Sequence, residues 1–335
     1  MRRVSVPIAL LFGALLGGPV LALAACVRTR PGGPPQPGRH PPPDVVARYA
    51  RPGPVPVATT TVVARRPRLE TLDVTLPARF PPGAPPEARA AISMRWWRPV
   101  PADAPRPAVV MSPILGGEAL LVSDLALDLA LDGYHVLLVR RHDLTVDPRR
   151  PVTQVEDRLA ADVSGQVQAL DWLLTHADVD PARLGSFGIS AGGIQNAMVA
   201  GADPRYRAHV LALAGGPLAD VIMTSEEAPL RRLVREGRAR TGLDVEALRE
   251  ELRRVVVTDP VALAAFVPPE RVLLVVADHD RSVPTWTGER LREALGNPET
   301  VVLPWGHYGS IVALPLVRAR MRAFLVARLG RPAPL

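Results

Sequence analysis

The sequence predicts an α/β protein: a mostly parallel, twisted sheet flanked by helices, with a helical cap inserted late in the chain. Three observations carry that reading. Short apolar runs of strand length alternate with stretches of helical periodicity, the pattern of repeated β-α-β units. Hydrophobic residues make up 47% of the 335, enough to build one large core. Between about Pro217 and Pro268 the alternation is interrupted by amphipathic helical stretches, with Leu230, Leu233 and Val234 in one and Val245, Leu248, Leu252 and Val255 in another.

The elements follow in order. Residues 68–76 alternate apolar and polar, as a half-buried strand does, and residues 91–97 read as a second strand. No helix separates these two, so they form an antiparallel edge. Residues 108–111 are a short apolar run suited to a buried strand. Leu120–Leu131 has helical spacing and closes at Gly133. His135–Val139 is the next strand. A long helix runs from about Thr153 to His176, with Leu159, Val163, Val167, Leu170 and Leu174 on one face. Residues 184–189, 210–214, 272–276 and 300–303 supply four further strands, and a helix over 311–329 ends the domain.

The N-terminus reads as an address. Arg2 and Arg3 precede a long apolar run to Ala25, the layout of a bacterial secretory signal. The run ends Leu23-Ala24-Ala25-Cys26, which resembles the lipobox of bacterial lipoproteins, and Cys26 is the chain's only cysteine. That resemblance implies cleavage before Cys26 and acylation of its thiol, with the lipid chains holding the protein to a membrane. An uncleaved spanning anchor and an ordinary cleaved signal are the other readings; all three place the domain outside the cytoplasm, facing periplasm or cell exterior. Val27 stands where inner-membrane retention is associated with aspartate, so either membrane stays open. Residues 27–58 hold ten prolines and one aromatic, Tyr49. The organisation expected is a signal peptide over 1–25, a Pro-rich tether over 26–64 and one folded domain over 65–330, with the cap at 217–268.

Composition excludes several functions. The net charge of +7 is concentrated at one end: residues 1–66 carry nine arginines and one acid, a net of +8, and the remainder is at −1. No basic footprint for nucleic acid is left on the domain. Aromatics at 4% argue against a base-stacking platform. One cysteine makes no internal disulfide, and the seven histidines lack metal-ligand spacing, so no metal is expected.

The chemistry falls at strand ends. Gly188-Ile189-Ser190-Ala191-Gly192-Gly193 fits G-x-S-x-G between a strand and a helix. The segment resembles the nucleophile elbow of the α/β-hydrolase superfamily. About 90 residues on, a strand ends in Ala277-Asp278-His279-Asp280-Arg281-Ser282-Val283-Pro284, similar to that superfamily's acid loop. The last strand ends in Pro304-Trp305-Gly306-His307-Tyr308, similar to its base loop. The resemblance covers about residues 65–330 and implies a serine hydrolase that needs no cofactor. Ser190 is then the nucleophile, His307 the base and Asp280 the acid, with Asp278 as rival and Asp220 as a weaker one. The oxyanion would be held by the N–H groups of Ala191 and Leu115, with Gly116 as the alternative to Leu115. Here the chain departs from its relatives: Ser112-Pro113-Ile114-Leu115-Gly116-Gly117 replaces the usual His-Gly, and Pro113 has no N–H to donate. The expected reaction is hydrolysis of a small-molecule carboxylic ester. A peptidase or thioesterase using the same residues, and a catalytically silent binding protein tethered to a membrane, are the alternatives.

Several other residues invite two readings. Arg140-Arg141-His142-Asp143 is a solvated loop or part of a pocket; Trp286, Trp305 and Tyr308 are packing or an apolar pocket wall. Arg231, Arg232, Arg235, Arg238 and Arg240 are a solvated helix face or an anion contact.

Overall fold

The computed structural model describes residues 26–80, 90–101, 104–115, 120–140, 154–333 and 335. Among the described residues, ten strands form one sheet: β1 (Arg28–Arg30), β2 (Thr59–Arg66), β3 (Leu69–Leu76), β4 (Ile92–Pro99), β5 (Arg106–Ser112), β6 (His135–Val139), β7 (Val179–Ile189), β8 (Ala208–Ala212), β9 (Val272–Ala277) and β10 (Glu299–Leu303). Their spatial order is β1-β10-β9-β8-β7-β5-β6-β4-β3-β2. The six central strands from β10 to β6 run parallel. Antiparallel strands finish both edges.

The central strands are nearly pure apolar runs because both faces are covered. Successive residues of β9 therefore enter different cores. Leu274 and Val276 join the cluster beneath the helices Gln154–Leu173 and Ala191–Ala202. Leu273 and Val275 join the cluster beneath Leu120–Leu131 and Leu314–Leu329. Four helices stand between β8 and β9: Leu218–Thr224, Ala228–Thr241, Val245–Val255 and Pro260–Ala264. Asp244 caps the third by accepting from the Ala247 N–H, and Asp259 caps the fourth.

The N-terminal segment corrects the tether expectation. Residues 26–64 lie against the domain instead of spanning free solvent. β1 pairs antiparallel with β10, and Arg30 Nη1 donates to both carboxylate oxygens of Glu289, at 2.7 and 2.8 Å. A short helix, Pro43–Tyr49, seats Tyr49 in the core at 1% exposure, where its hydroxyl meets Thr258 Oγ1 at 3.0 Å. Pro43 occupies the first helical turn, where the missing N–H costs nothing, so that part of the proline run starts a helix. β2 continues the sheet beyond β3. The proposed secretory run over 1–25 lies outside the described residues, and none of the described helices is long and apolar enough to cross a membrane.

Candidate active site

The sharp turn between β7 and the helix Ala191–Ala202 holds Ser190 at φ 58°, ψ −126°, a conformation that L-residues rarely adopt. Close packing holds it there. The Ser190 N–H donates to the Ala212 carbonyl at 2.8 Å. A Cβ on Gly188 would sit 2.2 Å from the Gly192 oxygen, and one on Gly193 would sit 2.6 Å from the Ala212 oxygen. The flanking glycines let backbone approach backbone, which is what lifts the serine above the strand ends.

His307 and Asp280 arrive on neighbouring loops. Past their parallel ladder, β9 and β10 stay joined: the Asp278 N–H donates to the Leu303 carbonyl at 2.8 Å and that of His279 to Trp305 at 3.2 Å. Ser310 closes the turn after His307, donating to the Gly306 carbonyl from both N–H and hydroxyl. The resulting geometry is a hydrogen-bonded chain. His307 Nδ1 lies 2.7 Å from Asp280 Oδ2, and His307 Nε2 lies 2.9 Å from Ser190 Oγ. A carboxylate only accepts, so Nδ1 carries the proton. Nε2 then presents its lone pair, and the Ser190 hydroxyl donates to it. Asp280 Oδ1 accepts from the N–H groups of Ser282 and Val283, both at 2.9 Å, which fixes the carboxylate plane. The Asp280 side chain is buried, and that of His307 nearly so.

The structure separates Asp280 from its rivals. Asp278 turns outward to Arg28 on β1. Asp220 is buried among the arginines of the cap and its neighbour: Arg253 at 2.8 Å, Arg290 at 3.6 Å and Arg249 at 3.8 Å. Arg140 binds Asp73 at 3.0 Å; Arg141, His142 and Asp143 lie outside the described residues. Arg231, Arg232, Arg235 and Arg238 are exposed on the cap, and Arg232 pairs along its own helix with Glu236. Of the three aromatics, Tyr308 lines the cavity containing Ser190, Trp286 lies under the Arg290 guanidinium, and Trp305 packs against the core on the helix Leu314–Leu329 side.

Leu115 and Ala191 both line the cavity beside Ser190. Ala191 opens its helix, so its N–H has no partner within the helix. Gly116 lies outside the described residues. The loop carrying Leu115 is pressed onto the serine helix: a Cβ on Gly192 would lie 2.5 Å from the Ser112 carbonyl oxygen and 2.7 Å from that of Pro113. Below it, the Ser112 hydroxyl donates to Asn196 Oδ1 at 2.8 Å and accepts from Gln166 Nε2. Sequence reasoning missed this buried polar support, whose members lie 30 to 84 positions apart.

It also missed Glu227, at the entry to the second cap helix. Its Oε1 accepts from the hydroxyls of Ser282, in the acid loop, and Tyr308, in the base loop, the latter at 2.7 Å. Burial pushes the Glu227 carboxyl upward, but these two hydrogen bonds and the nearby His307 hold it below the usual carboxylate range. Ser225 adds a bond to the Ser282 carbonyl at 2.6 Å. The cap is thus tied to both loops that position the imidazole. The one sequence-level hint was the acidic pair Glu226-Glu227 directly before Ala228-Pro229, a helix start.

The elbow, the order serine–acid–base and the strand order with helices on both faces now stand together. The chain has the α/β-hydrolase fold. A family model described as the prolyl oligopeptidase family matches residues 157–302, which includes Ser190 and Asp280 and stops short of His307. Among solved structures, the chain is similar to an acetyl xylan esterase from Paenibacillus sp. R4, with TM-score 0.67, 18% identity, and 85% of this chain and 92% of that one covered. It is similar to acetyl xylan esterase 1 from Thermoanaerobacterium sp. JW/SL YS485, with TM-score 0.63, 15% identity, and coverage of 84% and 95%. A cold-adapted esterase from an Arctic intertidal metagenomic library aligns with TM-score 0.54, 18% identity, and coverage of 79% and 97%. No curated protein matches the sequence.

Proposed function

We propose that the protein is a serine hydrolase that cleaves a carboxylic ester through an acyl-enzyme. The observation carrying this reading is the unbroken hydrogen-bond chain from Ser190 Oγ through His307 to Asp280 at 2.9 and 2.7 Å. The Ser190 hydroxyl attacks the ester carbonyl while its proton passes to His307 Nε2. Asp280 holds the imidazole tautomer and stabilises the imidazolium. The Ala191 and Leu115 N–H groups receive the oxyanion. The carbon–oxygen bond to the alcohol breaks, and His307 returns its proton to the departing alkoxide. Water then attacks the acyl-Ser190 bond with the same imidazole as base, and collapse of the second intermediate releases the acid and restores the serine. Pre-steady-state release of p-nitrophenol from an activated ester tests this: a burst equal to the enzyme concentration, absent in Ser190→Ala, is expected. Undiminished turnover by Ser190→Ala refutes it.

The prolyl oligopeptidase match favours one second reading, amide hydrolysis by the same residues. An apolar cavity offers a peptide backbone few partners, which supports the ester. Turnover of peptide anilides in preference to p-nitrophenyl esters would reverse that order.

Location belongs to the same proposal. Cys26 stands two residues before Arg28, and β1 runs antiparallel to β10, so Cys26 lies toward the sheet edge that carries Ser190, Asp280 and His307. With β1 docked, an acylated Cys26 leaves almost no slack, and this edge of the domain sits close to the membrane. Partition of the full-length protein into a detergent phase, lost in Cys26→Ala, is the expected result; equal partition of both refutes the anchor.

A further inference from the structure

Resting on the ester reading, we infer that the substrate carries an extended apolar chain of about eight carbons, and that an ester with short groups on both sides of the bond is a poor fit. The cavity at Ser190 has a volume of about 660 Å³, within the range that encloses a drug-sized ligand. An acetyl group fills only a small part of that.

The cavity's shape follows from the two cores. It straddles the strand ends and opens a wing on each face of the sheet. One wing runs under the cap between Leu159, Ile194, Met198, Ile222, Leu230 and Leu233, side chains of the first core or packed against it. The other lies against Leu121, Leu303, Leu314 and Val317, side chains of the second core or packed against it. Polar side chains enter the wall of the first wing at Arg158, Asp162 and Gln195 on one flank. Ser190 stands where the wings meet. Such a site suits a bond flanked by apolar groups on both sides.

The length of the cap wing can be read from the serine helix. Met198 lies eight residues beyond Ser190, and its side chain leans back toward the helix start, so the wing extends about 10 Å from the nucleophile. An extended alkyl chain advances about 1.3 Å per carbon, so about eight carbons fill it. Each methylene moved from water into such a wall favours binding about fourfold.

The test uses two series on the full-length protein: p-nitrophenyl esters of acids from two to twelve carbons, and acetate esters of alcohols from two to ten carbons. The expected result is a rise in kcat/KM of at least tenfold from two carbons to about eight in one or both series. In that series, Leu233→Trp moves the optimum to shorter chains. Values that are flat or fall from two carbons upward in both series overturn the inference. Binding keeps this separate from the fate of the ester reading. Calorimetry on Ser190→Ala is expected to show decanoate binding at least tenfold more tightly than butyrate. Equal affinities, or binding of neither, overturn the inference whether or not any ester is turned over.

Discussion

Gly192→Ala tests how tightly the loop proposed to hold the oxyanion must sit on the serine helix. The added methyl would lie 2.5 Å from the Ser112 oxygen and 2.7 Å from the Pro113 oxygen, which is 0.9 and 0.7 Å inside ordinary contact at 3.4 Å. Both neighbours are backbone, so no side-chain rotation relieves the overlap. The loop with Leu115 must retreat by nearly 1 Å from Ser190 and Ala191. A displacement of that size costs about 10²-fold in rate, and losing one oxyanion donor costs about 10²–10³-fold. The expected outcome is a fall in kcat of at least 10²-fold on p-nitrophenyl esters with KM little changed, since the donor acts on charge that develops only in the transition state. Overpacking also costs about 1–3 kcal/mol of stability, so a matched control is needed. Gly201→Ala supplies it: its methyl would collide with the Leu263 carbonyl at 2.1 Å, at the far end of the same helix. That variant should lose Tm and keep kcat within a few-fold. Wild-type kcat in folded Gly192→Ala, or equal kcat losses in both variants, would refute the reasoning.

Asp280→Asn should lower kcat by about 10⁴-fold by disturbing the His307 tautomer, while Asp278→Asn, which loses only its contact with Arg28, should stay within a few-fold; steady-state kinetics of the two variants decide the acid. Glu227 has a depressed carboxyl, so its contribution is complete above the unfolded-state value and is lost as pH falls through the folded one; Tm of wild type should fall more than that of Glu227→Gln on acidification below about pH 4. His209 is buried with its Nδ1 2.8 Å from the Ser186 hydroxyl, and burial pushes its pKa down to about 3. Below the ordinary value near 6.5 the unfolded chain gains a proton that the folded chain refuses. The unfolding free energy from urea titrations should therefore decline from pH 6.5 toward pH 3, by on the order of 4 kcal/mol across the window, and less steeply in His209→Gln.

The central sheet was legible because burial on both faces leaves little choice but apolar runs, as in Val272–Ala277 and His135–Val139. The elbow was legible because close backbone packing requires the glycines around Ser190. The edges were not. All eight residues of β2 are exposed, so no alternation marks Thr59–Arg66, and β1 is only Arg28-Thr29-Arg30. Prolines in 27–58 read as an extended tether, yet one proline opens a helix and Tyr49 anchors it. The choice of Asp280 over Asp278 rested on register within a resembling loop. What separates them in space is a salt bridge to Arg28, 250 positions away. The role of Glu227 was hidden for the same reason: its partners, Ser282 and Tyr308, are far along the chain.

The most direct test is mass spectrometry after treatment with a fluorophosphonate, which phosphonylates a serine whose hydroxyl a neighbouring base activates. One adduct is expected, on the peptide containing Ser190, abolished in His307→Ala. A folded protein left unmodified, or modified at another serine, would contradict the proposed mechanism.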